Sequence, residues 1–546
     1  PPRSTLFPYT TLFRSPTPPP RQKLPPKLQT ALNWVGHLGR PAVMSTLATG
    51  TVILSLRTLG ALQGLELGVY DKMLRWRPTP PPDDRILVVG ISESDIQSRQ
   101  EWPIQDSTVA ELLEVLLEAE PQAIGLDMFR DLPIGTGQAE LLSVLQSSDL
   151  IFPVCKISGA DNPGVPPPTD TLETQVGFSD LVVDSGGILR RNLLIAAPPA
   201  ETATVDTHLC NSPDNQLFSL GLQLALRYLA AEGINPELTL NQELQLGQTV
   251  LPRLTPNLGG YRNVDANGYQ ILLNYRAAQQ SVPQVSLTDV LSGQVEPAQI
   301  RDRIVLIGAT TPEAKDEFYT PFSGGLRDSQ KMSGVIVHAQ SVSQILSAVL
   351  DERPLLWSWS PPVEALWIVA WGLGGALFAR SIRRPLVYTA VAVVLLGGLY
   401  GFCYVVFLQG GWLPLVPAAL GFVLASGGVL LFDRFNKSDY GQAVYKQMKS
   451  LLRIEIEIDK TKVGEQVAEI TDTDYFSQLQ AQAKELRSQR QARLSNPDRT
   501  PPPVSPSASE SAEPPADSPS NNDDYFADLR QKSNRLKSQD QSDEQP

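Results

Sequence analysis

At 546 residues and 42% hydrophobic content, the chain has room for two or more structural units of ordinary composition. Acidic residues outnumber basic ones by 58 to 45, the net charge is -13, and no basic stripe interrupts that balance. A general nucleic-acid binder is therefore excluded, because it needs clustered Lys and Arg to displace counterions.

In chain order, residues 1–15 (PPRSTLFPYTTLFRS) read as a translated adaptor remnant, since the first Met is Met44, and they are set aside. Residues 16–40 are expected to form a disordered cytoplasmic N-terminus. Residues 41–65 make a first membrane span only if PAVMSTLATGTVILSL is extended past Arg57 through LGALQGLEL.

Residues 66–358 read as an α/β domain with a mostly parallel sheet and an added hairpin. ILVVGI (Ile86 to Ile91), AIGLDMF (Ala123 to Phe129), LIFPVCKI (Leu150 to Ile157) and RIVLIGAT are short, continuously apolar runs, the pattern of strands covered on both faces. Helical spacing separates them in TVAELLEVLLEAE and Gln138 to Gln146, which implies right-handed parallel crossovers. GFSDLVVDSGGILRRNLLI is expected to be a hairpin turning at Asp184 to Gly187. LFSLGLQLALRYLAA reads as a helix, YQILLNY as a strand, and GVIVHAQSVSQILSAVL as the closing helix.

Three clear spans follow, at 363–379, 386–408 and 412–432, with Trp357, Trp359, Trp367 and Trp412 near their ends as interfacial anchors. Arg380, Arg383 and Arg384 lie between the first two of these, whereas QGGW between the last two has no basic residue. With four spans in all, positive-inside orientation puts both termini in the cytoplasm and the α/β domain outside, in a plasma (cytoplasmic or inner) membrane.

Residues 433–546 are expected to be a mostly disordered cytoplasmic tail. Within it DYFSQLQAQAKELRSQ recurs as DYFADLRQKSNRLKSQ, which aligns Tyr475, Phe476, Leu479 and Leu486 with Tyr525, Phe526, Leu529 and Leu536. The two copies are either weak amphipathic helices or docking peptides that fold on a partner's groove.

Ligands in open α/β sheets sit beyond the carboxyl ends of the strands, which singles out Glu93, Asp95, Asp127 and Asp316. These acids would line one crevice for a cation or an amine, or else cap loops and strand ends. His338 reads as a packed histidine, and the three histidines show no zinc spacing, so neither metal nor cofactor is expected. Cys155 reads as buried in a strand and Cys210 as part of a polar loop. A disulfide is permitted outside the cytoplasm, but its strict geometry makes pairing the less expected outcome.

YDKMLRWRP, ILVVGISESDI, EWP, AIGLDMF, RIVLIGATTPEAKDEFYTP and GVIVHAQSVSQIL, in that order, resemble the CHASE type-2 sensory domain. The resemblance covers roughly residues 60 to 432 and implies an extracytoplasmic sensor preceded by one span and followed by three. Such proteins typically continue into a cyclase or a kinase. Here no histidine follows the last span, and neither a P-loop, a kinase glycine loop, an H-R-D segment nor a G-x-S-x-G elbow occurs. The expected function is a receptor without an enzymatic domain, reading a small extracytoplasmic ligand and signalling through a cytoplasmic protein. The alternative is a membrane scaffold whose tail repeats recruit partners. The lipid bilayer is a partner in either case, and a homodimer is compatible with both.

Overall fold

The computed structural model describes residues 26–159, 162–199, 207–323, 331–382, 384–437, 481–485 and 487–488. The chain divides into a large unit, Pro1–Gln447, and a smaller one, Met448–Pro546. In the smaller unit, residues 481–485 and 487–488 are helical with exposed side chains. All eight repeat positions proposed for docking, Tyr475, Phe476, Leu479, Leu486, Tyr525, Phe526, Leu529 and Leu536, lie outside the described residues.

The large unit begins with helix α1 (Pro26–Thr58) and helix α2 (Gln63–Trp76). Leu59 to Leu62 form a turn between them, and Gly60 takes a φ of 77°, a left-handed conformation that glycine adopts without steric cost. The α/β domain follows with β1 (Ile86–Ile91), α3 (Glu93–Arg99), α4 (Asp106–Glu118), β2 (Ala123–Asp127), α5 (Gln138–Ser147), β3 (Ile151–Cys155) and β4 (Gly177–Phe178). Then come β5 (Arg191–Ala196), β6 (Leu217–Phe218), α6 (Leu220–Ala231), β7 (Pro236–Leu238), β8 (Leu244–Leu246), β9 (Thr249–Val250) and β10 (Tyr269–Leu272). The domain ends with β11 (Gln284–Ser286), α7 (Leu287–Leu291), β12 (Ile304–Ala309), β13 (Glu317–Phe318), β14 (Met332–Ser333) and α8 (Gly334–Leu350).

Six strands form one sheet in the order β11-β1-β12-β2-β3-β4, and every pairing in it is parallel. Alternate side chains bury on opposite faces, as period-2 geometry requires. Val88, Ile304 and Leu306 face a core completed by α6 and α8, whereas Val89, Val305 and Ile307 face α4, α5 and α7. Helices on both sides explain why these strands read as unbroken apolar runs. Helix α8 crosses the sheet at Gly308, where an added Cβ would strike Val335.

The expected hairpin forms only in part. Its turn is present, with Asp184 N–H donating to Ile188 O and Gly187 N–H to Asp184 O, but a single antiparallel bridge, Val183 to Leu189, is all that closes it. β4 instead joins the edge of the parallel sheet, because Phe178 buries completely beside Cys155. β5 pairs with β10 and β6 in a separate antiparallel sheet. Arg190 and Arg191, adjacent in the sequence, both bind Asp184 there at 2.7 and 2.8 Å. Cys155 and Cys210, expected to remain apart, are joined in a disulfide with Cα atoms 6.4 Å apart. The loop carrying Cys210 folds inward against Val176, Phe178 and Leu217 instead of staying in solvent.

Three helices are long and apolar enough to cross a membrane: α9 (Pro361–Ser381), α10 (Pro385–Leu408) and α11 (Leu415–Lys437), the last over Leu415–Phe432. The fourth span expected at 41–65 is not found as one helix. The chain breaks after Thr58, and Gln63–Trp76 leaves at 80° to Pro41–Thr58, so only the bent pair together passes as a span. The segment beyond the break carries charges that the α/β domain holds. Asp71 of α2 receives both Nε and Nη2 of Arg190, at 2.7 and 2.8 Å.

Within the bundle, Pro41–Thr58 packs against α9 and α11. Helix α10 is peripheral: only Leu399, Cys403 and Phe407, one stripe at i, i+4 and i+8, are buried, and Val393, Val394 and Val405 are exposed. The loop between α10 and α11 returns to the α/β domain. Trp412 is buried there with its ring 4.9 Å from Tyr70 and 5.8 Å from Tyr261, and Trp357 N–H donates to Gly410 O at 2.8 Å.

Candidate functional site

Parallel strands bring their carboxyl ends to one edge of the sheet, and crossover chains diverge there, leaving a crevice. In this domain that crevice has a volume of about 440 Å³ and is lined by Ile91 of β1, Ala309 of β12, Asp127 of β2 and Val154 of β3. Met128, Phe129 and Arg130 continue from β2 into its wall, and Trp102, Pro103 and Ile104 form the opposite wall. Asp316 and His338 complete the floor.

Each polar group on the floor has a structural reason to be there. Asp127 is the last residue of β2 and pairs in register with Gly308, next to the place where α8 crosses. His338 lies one turn into α8, and its Nε2 is 3.7 Å from Oδ1 of Asp127. Asp316 precedes β13 and meets the start of α8, where the Gly334 N–H donates to its backbone oxygen at 2.9 Å. A side chain at position 334 would displace the Asp316 carboxyl from this position, so the close approach favours a glycine.

Burial sets the charge state of these groups. It raises the Asp127 carboxyl to about 7. It also raises Asp316 to about 6, helped by the nearby charge of Asp127 and opposed by His338. The His338 imidazole is pushed down to about 4 by burial, against the pull of Asp316. At neutral pH the histidine is therefore uncharged, and its 3.7 Å contact with Asp127 is not an ion pair. Desolvation outweighs Coulomb attraction throughout the floor.

Of the four acids singled out in the sequence, Asp127 and Asp316 meet in this crevice, and Glu93 and Asp95 do not line it. Asp95 is buried as a cap: it bonds Ser92 in a capping box at the start of α3 and accepts the Thr288 N–H at the start of α7. Burial would raise its carboxyl, but the hydrogen bonds from Ser92 and Thr288 hold it below its ordinary value. Glu93 is exposed and accepts from the Thr311 hydroxyl at 2.9 Å.

The sequence reading placed His338 in the packed core and did not see that the core opens onto a cavity at that point. Arg130, Lys315, Trp102 and Ser179 were also missed. For Arg130 the signal was available, since residues just past a buried parallel strand fall at the same sheet edge as the strand's last acid. Arg130 donates to Ile104 O at 2.8 Å and stands 3.6 Å from Asp106. A wider groove of about 860 Å³ flanks the antiparallel sheet, but its charged residues, Glu237 and Arg253, are exposed. Among the described residues, no three His, Cys, Asp or Glu side chains are grouped to hold a metal ion.

Comparison with curated proteins and with solved structures gives no match. A family model described as the CHASE2 domain matches residues 48–377, more than half of the chain, from the second half of α1 through the α/β domain and into α9. The matched segment includes the whole crevice, α2 and parts of α1 and α9, and the chain belongs to the CHASE2-domain family.

Proposed function

We propose that this protein is an integral-membrane receptor whose CHASE2 domain binds a small ligand in the crevice between Asp127, Asp316 and His338, and that it signals through a cytoplasmic partner. The observation that carries the reading is a cavity at the carboxyl ends of a parallel sheet, floored by buried titratable groups with displaced pKa values. That combination marks functional sites more often than structural ones. The domain is extracytoplasmic as a CHASE2 domain, and three apolar helices make this a membrane protein.

The finer topology belongs to the same proposal. The loop containing Gly410 and Trp412 packs on the α/β domain, so α9, α10 and α11 all have one end beside that domain. Arg380 and Arg384 lie at the opposite end of α9 and α10, which supports a cytoplasmic arginine turn, cytoplasmic termini and a plasma-membrane location. A partner for the output is proposed from the repeated DYF-x-x-L segments. Alanine at Tyr475, Phe476, Tyr525 and Phe526 should abolish tail-dependent capture of that partner.

The binding half of the reading is tested by a thermal-shift screen of small molecules on the full-length protein, beside a variant plugged by Ala309→Trp. Compounds that stabilise the parent and not the plugged variant support it. A screen in which every stabilising compound acts equally on both removes the crevice as the receptor site.

A further inference from the structure

We propose that the crevice selects a small organic ammonium ion, its charged head held by Asp127 and Asp316 and its apolar body against Trp102 and Phe129. This rests on the receptor reading and adds the chemical class of the ligand.

The first argument is an unmet hydrogen-bonding need. The Asp127 side chain is only 8% exposed, it lines the cavity, and among the described residues no group donates a hydrogen bond to its carboxylate. The His338 ring nitrogen is 3.7 Å away, beyond a normal hydrogen bond. A buried carboxylate without donors is costly, so a ligand that supplies N–H or ammonium charge at that point gains the full difference.

The second argument is the sign of the surrounding charge. The groups facing the floor are Asp127, Asp316, His338, Asp180, Glu317, Lys315 and Arg130. Arg130 donates to Ile104 O and has its charge 3.6 Å from Asp106, with no hydrogen bond between Nε and that carboxylate, and Lys315 is exposed at the rim on a residue with φ of 54°. Asp180 already accepts the Ile157 N–H at 2.8 Å. Two carboxyls therefore remain on the floor without a dedicated cation. An anionic ligand would have to bury its charge against both of them. The walls supply the rest: Trp102 and Phe129 are 43% and 37% exposed, leaving ring faces available to a cation or its apolar body.

Binding should depend on pH with a defined sign. Asp127 and Asp316 titrate at about 7 and about 6, and His338 at about 4, so above neutrality both acids are charged while the histidine stays neutral. An ammonium ligand therefore binds more tightly as the pH rises through this range.

The test uses the full-length protein in lipid nanodiscs, with titration calorimetry and Trp fluorescence. The probes are phenethylammonium and tetramethylammonium, with 2-phenylethanol and 3-phenylpropionate as neutral and anionic counterparts. Both ammonium probes should bind at about pH 8, and each should weaken about tenfold or more at about pH 5.5, where the acids are protonated. Asp127→Asn and, separately, Asp316→Asn should weaken phenethylammonium about tenfold, since a charge-assisted hydrogen bond is worth at least that, and should weaken tetramethylammonium, which has no N–H to donate, through the lost charge alone. Glu93→Gln should change nothing. Tighter binding of 2-phenylethanol or 3-phenylpropionate overturns the ammonium assignment and leaves the crevice standing as a receptor site. Failure of both ammonium probes to bind, or equal binding to parent and to whichever Asn variant retains the parental melting profile, overturns it as well. The receptor reading fails separately, in the comparison with the plugged variant.

Discussion

Arg57 of α1 places Nη2 2.6 Å from Oε2 of Glu364 of α9, and both side chains are almost wholly buried. The same guanidinium donates to Gly259 O at 3.0 Å and stands 3.5 Å from Glu66 of α2. One residue thus ties the first helix to its own bent continuation, to a later span and to the α/β domain. Oε1 of Glu66 and Oε1 of Glu364 accept no hydrogen bond. Such a cluster holds geometry more than it adds net stability, because desolvation consumes much of the attraction.

Removing Arg57 alone should be severe. Arg57→Met leaves two buried carboxyls without their directly bonded cation, with only the more distant charge of Arg262 beside them, and is expected to cost about 3–5 kcal/mol. Adding Glu66→Gln and Glu364→Gln should recover a substantial part of that loss. Melting of the purified protein in detergent measures both. A triple variant as unstable as the single one would show that packing, not charge, explains the effect.

Asp127 should make the parent protein lose stability with rising pH. Its carboxyl lies at about 7 when folded, above the ordinary 3.8, so between these values the folded state binds more protons than the unfolded state. Stability from this group is full below about 3.8 and is lost as the pH climbs through 7. His338 works in the opposite direction: held at about 4, it contributes stability that is present above its ordinary 6.5 and lost as the pH falls towards 4. Asp127→Asn removes the first contribution, together with the part of the Asp316 rise that the Asp127 charge causes. Relative to the parent, the variant should gain on the order of 3 kcal/mol between acidic and neutral pH, at ~1.4 kcal/mol per pH unit of displacement. A difference between the two proteins that stays constant from pH 5 to 8 would sink the assignment.

The Cys155–Cys210 bond closes a loop with a sequence separation of 55. Cys210→Ser should lower stability by about 2–5 kcal/mol, and reductant should reproduce the loss in the parent protein. The remaining thiol, Cys403, is buried in α10 and offers no substitute partner. Unchanged melting under reducing conditions would count against a structural role for the bond.

Orientation can be read by cysteine labelling in a Cys403→Ala background. Gln409 and Ser381 are both exposed, at opposite ends of the helices. Gln409→Cys should react with an impermeant maleimide on intact cells, and Ser381→Cys only after permeabilisation. The reverse pattern would invert the proposed topology.

Much of this architecture was legible because it depends on local periodicity. The closing helix, Gly334–Leu350, coincides with its apolar sequence run, and four of the six parallel strands were visible as unbroken apolar segments. What was missed depends on distant partners. β5 carries a turn signal just before it, yet its main partner is β10, whose residues lie more than 70 positions later. The break after Thr58 was hidden because LGALQGLEL is mostly apolar, and only the left-handed Gly60 and the charges of Glu66 and Asp71 betray the turn. Asp127 and Asp316 could be proposed from their positions after strands. Their meeting with His338 needs the crossing of α8 at Gly308, which periodicity does not reveal.

Trp412 is wedged between Tyr70 and Tyr261, and Arg57 clamps α1 to α9 nearby. Both fastenings sit beside the α/β domain, while the far ends of α9 and α10 meet through the stacked rings of Phe378 and Tyr388, 5.0 Å apart. A tilt of the domain would turn the helices about this riveted collar and carry their far ends, joined by that stack, as one lever arm. That arm would end at Ser381, Pro385 and Lys437, the last of which precedes in sequence the segment that carries the repeats.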